Sequence, residues 1–197
     1  LRAWRAWYEH VSAESKRRIR NAERKALRFL LDAQTAVGAW CPLWFGNEHA
    51  AQEEILVYGT SRVLAALCPP DPESPELRVV VDAAEWLIQA QNADGGWGHA
   101  TSGVSSVEET GLALEALAAL IEADFETLPQ EFHTAGLKKV CTEIRPSLMR
   151  GADWLVTRVE NGAWCDPSPI GFYFAKLWYF ERLYPLIFTV GALRGEA

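Results

Sequence analysis

The sequence predicts an all-α repeat fold, and three observations support this prediction. Apolar residues recur at three- and four-residue steps in every segment of useful length, which is the period of an amphipathic helix. No segment alternates apolar and polar residues convincingly, so no sheet is expected. Finally, QTAVGAWC at 34–41 and QNADGGWG at 91–98 have Gln, Gly and Trp at the same spacing, which indicates an internal repeat.

The repeat extends beyond these eight residues. Windows 26–40 and 83–97 also agree at an Ala, an aromatic and a Leu position, and 152–164 is a degraded copy with Val159 where Gln is expected. In stacked helical hairpins, the Gly permits a tight exit from the helix, the Trp lies over the neighbouring repeat and the Gln ties backbone groups together. We therefore expect these structural residues to hold the repeats together: Gln34, Trp40, Gln91, Trp97 and Trp164.

The first helices follow from their apolar periodicity and their stop signals. One amphipathic helix runs from Ser12 to Ala33, and a second follows YGTS and ends at two adjacent prolines. The Pro-rich segment CPPDPESPE at 68–76 is expected to form a loop. A third helical stripe runs from Leu77 to Ile88 and ends before the turn sequence Asn-Ala-Asp-Gly-Gly.

The later helices carry their own signals. Ser106, followed three residues later by Glu109, is typical of a capping box ahead of the apolar run at 112–121. In the next helix, Pro146 either breaks the helix or restarts it at a first turn. The last segment, 171–193, is rich in aromatic residues and is interrupted by a proline.

Composition and charge limit the possible classes of function. With 197 residues, 49% of them hydrophobic, the chain can bury a core as a single domain, 1–197. The net charge is -7, so most of the surface would repel nucleic acid, although nine of the 19 Lys and Arg lie within 1–28. That basic segment suits a solvated helix face, anionic lipid or an acidic partner. The apolar stretch at 183–193 is too short to span a bilayer, and no secretory signal opens the chain.

No metal or cofactor site is expected. The four cysteines are scattered without a Cys-x-x-Cys pair, which argues against a disulfide framework and against a thiolate zinc site. We expect them to be reduced residues of the core. His49, His99 and His133 have no spacing typical of metal ligands.

The pattern Ala-x-x-aromatic-Leu-x-x-x-Gln-x-x-x-Gly-x-Trp resembles the Gln-Trp motif of the squalene-hopene and oxidosqualene cyclases. Tyr58-Gly59-Thr60 at the start of a helix and the terminal IGFYFAKLWYFERLYPLIFTVGAL extend the resemblance over most of 20–194. The terminal stretch looks like the helix that closes the bacterial enzymes. The resemblance implies an α/α toroid, with helical hairpins in an inner and an outer ring around an apolar cavity fed from the membrane, of which this chain is a partial ring.

The resemblance also implies an activity. Family members fold a polyisoprene such as squalene in the cavity, protonate one end of it with an Asp-x-Asp-Asp motif and stabilise the resulting carbocations with aromatic faces. This chain has no such motif. It therefore resembles the C-terminal part of a longer terpene cyclase, an isomerase, that is inactive alone and completes its cavity with the upstream region of the same protein. Peripheral association with the cytoplasmic side of a membrane is implied for the whole protein.

Five residues are candidates for the substrate cavity, and none is expected to be catalytic. Alignment through Pro185 places Tyr173, Leu177 and Phe180 where the family has cavity aromatics, although a tyrosine is usual at the Leu177 position in hopene-forming enzymes. The steps from 173 to 177 and 180 put the three on one helix face, which would equally suit an ordinary core stripe.

The other two candidates lie near the starts of earlier helices. Tyr58 opens the helix with the Tyr-Gly-Thr sequence that the family shares. Glu109 would be a polar cavity residue if the capped inner helix begins at a rim of the ring, and its alternative role is the capping box with Ser106.

Two other functions remain open at this stage. Protein prenyltransferase β-subunits share the helical ring and hold zinc with an Asp, a Cys and a His, and Cys165 beside Asp166 keeps that possibility open. A repeat module that binds lipid or protein without catalysis would also lack the acid motif. A zinc assay tests the first alternative, and the sequence encoded upstream tests the second.

Overall fold

The computed structural model describes residues 1–68, 76–123, 125 and 133–194. The helices and strands of this part, in chain order, are α1 (Arg2–Trp7), α2 (Ala13–Ala33), β1 (Phe45–Gly46), α3 (Leu56–Leu67), α4 (Glu76–Gln89), α5 (Val107–Glu122), α6 (Ala135–Glu160), β2 (Pro169–Phe172), β3 (Leu177–Phe180) and α7 (Leu183–Arg194). Short 3₁₀ turns occur at Tyr8–His10, Ala163–Cys165 and Tyr173–Ala175. The expected loop at 68–76 lies almost entirely outside the described residues.

The helices pack in two layers, which confirms the prediction of an all-α, toroid-type partial ring. Helices α3, α5 and α7 lie side by side in the inner layer. In the outer layer, α4 packs against α3, α6 packs against α5, and α2 packs beside α4. Helix α5 is buried along most of its length, because it lies in the middle of the inner layer. No described helix is long and apolar enough to cross a membrane.

Side-chain caps fix the starts of three helices. The hydroxyl oxygens of Ser12, Ser106 and Thr134 accept hydrogen bonds from the backbone N–H three residues later, at 3.2, 3.1 and 3.2 Å. Pro146 neither breaks nor restarts α6, which continues through it. The buried stripe of α6 runs on both sides of this proline, from Leu137 to Leu155, so packing against the neighbouring helices holds the helix together.

The motif glutamines connect each turn to the next outer helix. The side-chain amide of Gln34 donates to the carbonyl of Val79 on α4 at 2.8 Å, and that of Gln91 donates to the carbonyl of Ser147 on α6 at 2.9 Å. Each amide also donates to the carbonyl of the glycine in its own turn, at 2.9 and 2.8 Å. Each amide therefore closes its own turn with one hydrogen bond and joins that turn to the next repeat with the other.

The motif tryptophans fill the space between the layers. The indole N–H of Trp40 donates to the carbonyl of Leu30, and that of Trp97 to the carbonyl of Leu87, both at 2.8 Å. Their backbone N–H groups donate to the hydroxyl of a threonine on the following inner helix, at 3.0 and 2.9 Å. Both rings are buried, so each one joins an outer helix to the inner helix that follows it.

The motif glycines permit a close approach that no other residue allows. Gly38 and Gly95 have φ of +92° and +95°, in the left-handed region. A Cβ atom would lie 2.5 Å from the carbonyl oxygen of Asp82 at the first position and 2.7 Å from that of Arg150 at the second. The backbone of each turn therefore packs directly on the next outer helix.

The third copy differs from the first two. Gly162 keeps a positive φ of +79°, but a Cβ atom there would meet nothing within 4 Å. Trp164 is 36% exposed, so it does not fill a buried space between layers as expected for a third structural tryptophan. The physical reason is that no following outer helix covers this turn in the described part of the chain.

The expectation that the chain has no sheet is wrong. Strands β1, β2 and β3 form a small antiparallel sheet in the order β1-β2-β3. The aromatic segment therefore does not form one helix from 171 to 193. Lys176 adopts the left-handed conformation with φ of +50° and turns the chain from β2 into β3, and α7 starts only at Leu183, with Pro185 in its first turn.

The expectation that the cysteines are residues of the core is wrong for two of them. Cys41 and Cys165 are exposed, whereas Cys68 and Cys141 are partly buried. Each exposed cysteine directly follows a motif tryptophan at the point where the chain leaves the turn.

We expect Trp97→Ala to lower the free energy of unfolding by about 3 to 5 kcal/mol, the range for large-to-small aromatic changes in a core. Trp164→Ala is the matched control, because Trp164 occupies the same motif position without being buried. It should cost less than about 1 kcal/mol. Urea unfolding measures both, and equal losses would contradict the different roles assigned to the two rings.

Candidate functional site

An open cleft of about 780 Å³ lies where the inner helices begin. It is lined by the loop at 47–54 before α3, the loop at 99–107 before α5, and the segment at 163–169 together with Phe180, before α7. Because the segments that precede all three inner helices line this one cleft, the starts of these helices lie at the same end of the layer. We refer to this feature as the inner-end cleft.

Two adjacent carboxyl groups are buried beside the cleft, in the first turn of α5. Glu108 is 5% exposed, and its Oε1 accepts a hydrogen bond from the backbone N–H of Ser168 at 2.8 Å. Its Oε2 is buried without a hydrogen-bond partner. The carboxyl of Glu109 is fully buried and contacts the hydroxyl of Ser106. Both Ser106 and Ser168 line the cleft, so the two carboxyls lie directly behind its wall.

The Ser106–Glu109 pair is a capping box in only one of its two hydrogen bonds. The Ser106 hydroxyl accepts from the Glu109 backbone N–H, as the motif requires. The backbone N–H of Ser106 instead donates to the carbonyl of Trp97 at 2.9 Å. The Glu109 carboxyl is therefore not needed to satisfy that N–H, and its burial results from the packing of α5 in the inner layer.

Burial makes both carboxyls weak acids. Desolvation raises the pKa of Glu108 to about 7, with a smaller contribution in the same direction from Asp166 and an opposing one from the Ser168 N–H. Desolvation, followed by the adjacent charge of Glu108, raises the pKa of Glu109 to about 8. Near neutral pH the pair therefore holds at least part of a proton that exposed glutamates would have lost.

The sheet forms an aromatic wall next to this cleft. Phe45 pairs with Phe172, which pairs with Leu177, so these three lie on one face of the sheet. The rings of Phe45 and Phe172 stack at 5.5 Å, and Phe45 contacts the ring of Tyr58 on α3 at 6.3 Å. Burial raises the pKa of Tyr58, so it stays neutral.

The proposed common face of Tyr173, Leu177 and Phe180 does not exist. Tyr173 lies in the 3₁₀ turn after β2, whereas Leu177 and Phe180 lie in β3, where residues three apart point to opposite faces. Phe180 pairs with Pro169, and both line the inner-end cleft. Leu177 lies on the other face, with Phe172. Of the five predicted cavity residues, only Phe180 borders the cleft directly, and Glu109 lies behind the cleft wall. Tyr58 contacts Phe45, which lies on the face of the sheet opposite Phe180.

Large apolar side chains remain uncovered around the sheet. Tyr173, Phe174, Leu177 and Phe180 are all exposed. They do not form one patch, because Leu177 and Phe180 lie on opposite faces of β3. Large exposed apolar side chains concentrated in one short segment are nevertheless typical of a binding site or an interface.

Residues that sequence reasoning did not connect also meet at the cleft. His49 and His99 both line it, and the pKa of His99 is lowered by burial and by the nearby His49. Asn47 is buried, and its amide donates to the hydroxyl of Ser168 at 3.3 Å. Nothing in the spacing of these residues indicated that they would be close together. Among the described residues, no group of three or more His, Cys, Asp or Glu side chains could hold a metal ion.

We expect stability to fall as pH rises through the pKa values of the two buried glutamates. Because both values lie above the usual 4.5, the folded state holds protons that the unfolded state has released. The contribution of these two groups to stability is therefore fully present below about pH 4.5 and is lost as the pH rises to about 8. Glu109→Gln, which mimics the neutral acid, should reduce this decline by about 1 to 3 kcal/mol, since one pKa unit corresponds to about 1.4 kcal/mol.

The measurement is urea unfolding at pH 5 and pH 8. Glu122→Gln, at the exposed last residue of α5, is the control and should leave the decline unchanged. If Glu109→Gln and Glu122→Gln have the same pH dependence as the unsubstituted chain, the Glu109 carboxyl is ionised in the folded state.

Comparison with known proteins agrees with this geometry. Residues 7–196 match the family model of the squalene-hopene cyclase C-terminal domain. A terpene cyclase-glycosyl transferase fusion protein of Humicola fuscoatra is 31% identical over 73% of this chain and 9% of its own length. Enfumafungin synthase of Hormonema carpetanum is 27% identical over 85% and 11%, and a squalene–hopene cyclase of Bradyrhizobium diazoefficiens is 27% identical over 80% and 22%.

The chain therefore spans less than a quarter of the length of each of these relatives. The family-model match, in contrast, covers almost all of the 197 residues. It includes both complete Gln-Trp turns, the sheet and the inner-end cleft. The chain therefore belongs to the squalene-hopene cyclase C-terminal domain family.

Proposed function

We propose that this chain is the C-terminal part of a class II terpene cyclase, in which it supplies one wall of the apolar cavity where a polyisoprene such as squalene is protonated and cyclised. The observation that carries the proposal is the exposed aromatic surface of the sheet at the start of the inner helices. Aromatic faces in a dry site attract the cationic centres that form during cyclisation.

The proton donor and the rest of the cavity come from elsewhere in the polypeptide. The chain contains no Asp-x-Asp-Asp sequence, and the inner-end cleft is open to solvent. An open site keeps water near the cation, and water would quench the cation before the rings form. We therefore propose that the isolated chain does not turn over substrate and that the upstream region encloses the cavity.

The buried glutamate pair suits this environment. A carboxyl that stays protonated near neutral pH is a neutral hydrogen-bond donor, which an apolar cavity tolerates better than an anion. We assign Glu108 and Glu109 to the polar part of the wall, behind Ser168. Peripheral attachment to a membrane, from which an apolar substrate would enter, is part of the same proposal for the whole protein.

Of the two alternative functions, the prenyltransferase one predicts a zinc site. The family model matched here is that of the cyclases, which favours the cyclase. Stoichiometric zinc in the purified protein would contradict the proposal. A binding module without catalysis predicts no cyclised product from the whole polypeptide, whereas we expect one when the protein is incubated with squalene and the extract is examined by gas chromatography with mass spectrometry.

Phe180→Leu tests the wall itself. Leu keeps the apolar bulk but removes the π face, which is worth about 0.5 to 2 kcal/mol, so we expect turnover by the whole polypeptide to fall about 2- to 30-fold or the product mixture to change. Phe180→Tyr keeps the ring and should preserve turnover. Phe29→Leu on α2 is the matched control, because Phe29 is 54% exposed and Phe180 51%. If all three variants behave like the unsubstituted enzyme, Phe180 is not part of the cavity wall.

A further inference from the structure

The two buried carboxyl groups beside the inner-end cleft have no cationic partner. None of the salt bridges among the described residues includes Glu108 or Glu109. One carboxyl oxygen of Glu108 has no hydrogen-bond partner, and Glu109 is only 2% exposed. A carboxylate buried without a counter-charge is costly, whereas a neutral carboxylic acid is tolerated, so this environment keeps a proton on the pair. The proposed cyclisation takes its proton from the upstream region and leaves this one unused.

Ser168 connects the pair to the cleft. Its backbone N–H donates to Glu108 Oε1 at 2.8 Å, and the residue lines the cleft. Burial and the charge of Glu108 raise the pKa of Glu109, whereas the Ser168 hydroxyl, a hydrogen-bond partner of that carboxyl, opposes the rise. Ser168 is therefore in contact with both acids and with any ligand that enters the cleft.

The hydrogen bonds of the Ser168 hydroxyl leave its proton available to a ligand. A serine hydroxyl has one proton to donate and two lone pairs that accept. One lone pair accepts the side-chain amide N–H of Asn47 at 3.3 Å. When Glu109 is protonated, its O–H donates to the other lone pair. The Ser168 O–H is then free to donate into the cleft, and a proton lost there is replaced from Glu109.

The cleft suits a ligand that is apolar except for one hydroxyl group. Phe180, Pro169 and Val107 supply apolar surface, and Asp166 lines the same cleft. A hydroxyl group both accepts and donates, so it can accept from Ser168 and donate to the Asp166 carboxylate. A carbon–carbon double bond has no lone pair to accept with. An acid whose pKa is raised to about 8 is also better matched to an oxygen atom than to an alkene carbon.

We propose that Glu109 and Ser168 form a second acid site, which dehydrates an isoprenoid allylic alcohol bound in the inner-end cleft. The Ser168 proton moves to the alcohol oxygen, the C–O bond breaks with its electron pair on oxygen, and water leaves. Ser168 takes the proton of Glu109 in turn. The allylic cation then loses a proton from a neighbouring carbon to water, and that C–H electron pair forms a new double bond. Water returns the proton to Glu109, so the net reaction converts an alcohol into a diene and water.

An allylic alcohol fits a weak acid because its cation is stabilised in two ways. Delocalisation over the adjacent double bond lowers the cost of breaking the C–O bond. The ring of Phe180 in the cleft wall adds cation–π attraction. The proposal rests on the proposed function only in taking an isoprenoid as the ligand.

The test compares two substrates of the whole polypeptide, squalene and the allylic alcohol geranyllinalool, by gas chromatography with mass spectrometry. Ser168→Ala and Glu109→Gln should lower the release of hydrocarbon from the alcohol about 100-fold or more, the size of a general-acid contribution, and lower squalene cyclisation at least about tenfold less. Ser168→Thr keeps a hydroxyl and should restore dehydration. Glu122→Gln, at the exposed end of α5, is the matched control and should leave both reactions unchanged.

The two substrates separate this proposal from the proposed function. Absence of hydrocarbon from geranyllinalool would overturn the proposal, as would full dehydration by Glu109→Gln. So would an equal loss of both reactions in Ser168→Ala, which is the result expected of a residue that only holds the wall together. Dehydration that depends on Ser168, without cyclisation of squalene, would instead refute the proposed function alone.

Discussion

Side-chain N–H groups that bind backbone carbonyls hold this protein together. The Gln34 and Gln91 amides reach a carbonyl on the next outer helix, and the Trp40 and Trp97 indoles reach a carbonyl on the helix before the turn. Each bond contributes about 1 kcal/mol on its own, but losing one partner leaves a buried carbonyl unsatisfied, which costs more. Because both complete copies use the same bonds, the successive hairpins stack with the same offset.

The consistent offset determines where the site lies. When successive hairpins are in register, the inner helices begin at the same end of the layer, and the loops that precede them lie side by side. The helix start at α5 would by itself favour ionised carboxylates by about 0.3 to 1 kcal/mol. Desolvation is larger here, since the pKa values of Glu108 and Glu109 rise to about 7 and about 8. The site therefore disfavours ionised carboxylates, whereas an exposed helix start would favour them.

The sequence predicted the elements whose signals are local. The helices at 13–33 and 107–122 follow from periodicity and caps, and the equivalence of the two complete turns follows from the Gln, Gly and Trp spacing. The sheet could not be predicted in this way, since β1 has two residues and the pairing of Phe45 with Phe172 is between distant segments. The wrong prediction of a common helix face for Leu177 and Phe180 has the same origin. Steps of four and three residues fit a helix, and no strong sequence signal marks the left-handed Lys176, which turns the chain into β3.

The three-stranded sheet also determines the order in which the protein acquires its site. The hairpins can form from contacts close in sequence, but the sheet pairs Phe45 with Phe172, and beside it Asn47 binds Ser168, which is 121 positions away. Closing so long a loop costs entropy before any contact repays it, so we expect this part of the structure to fold late. It also consists of only two to four residues per strand. The wall around the cleft is therefore the region that opens first by local unfolding, while the helical layers beneath it remain intact.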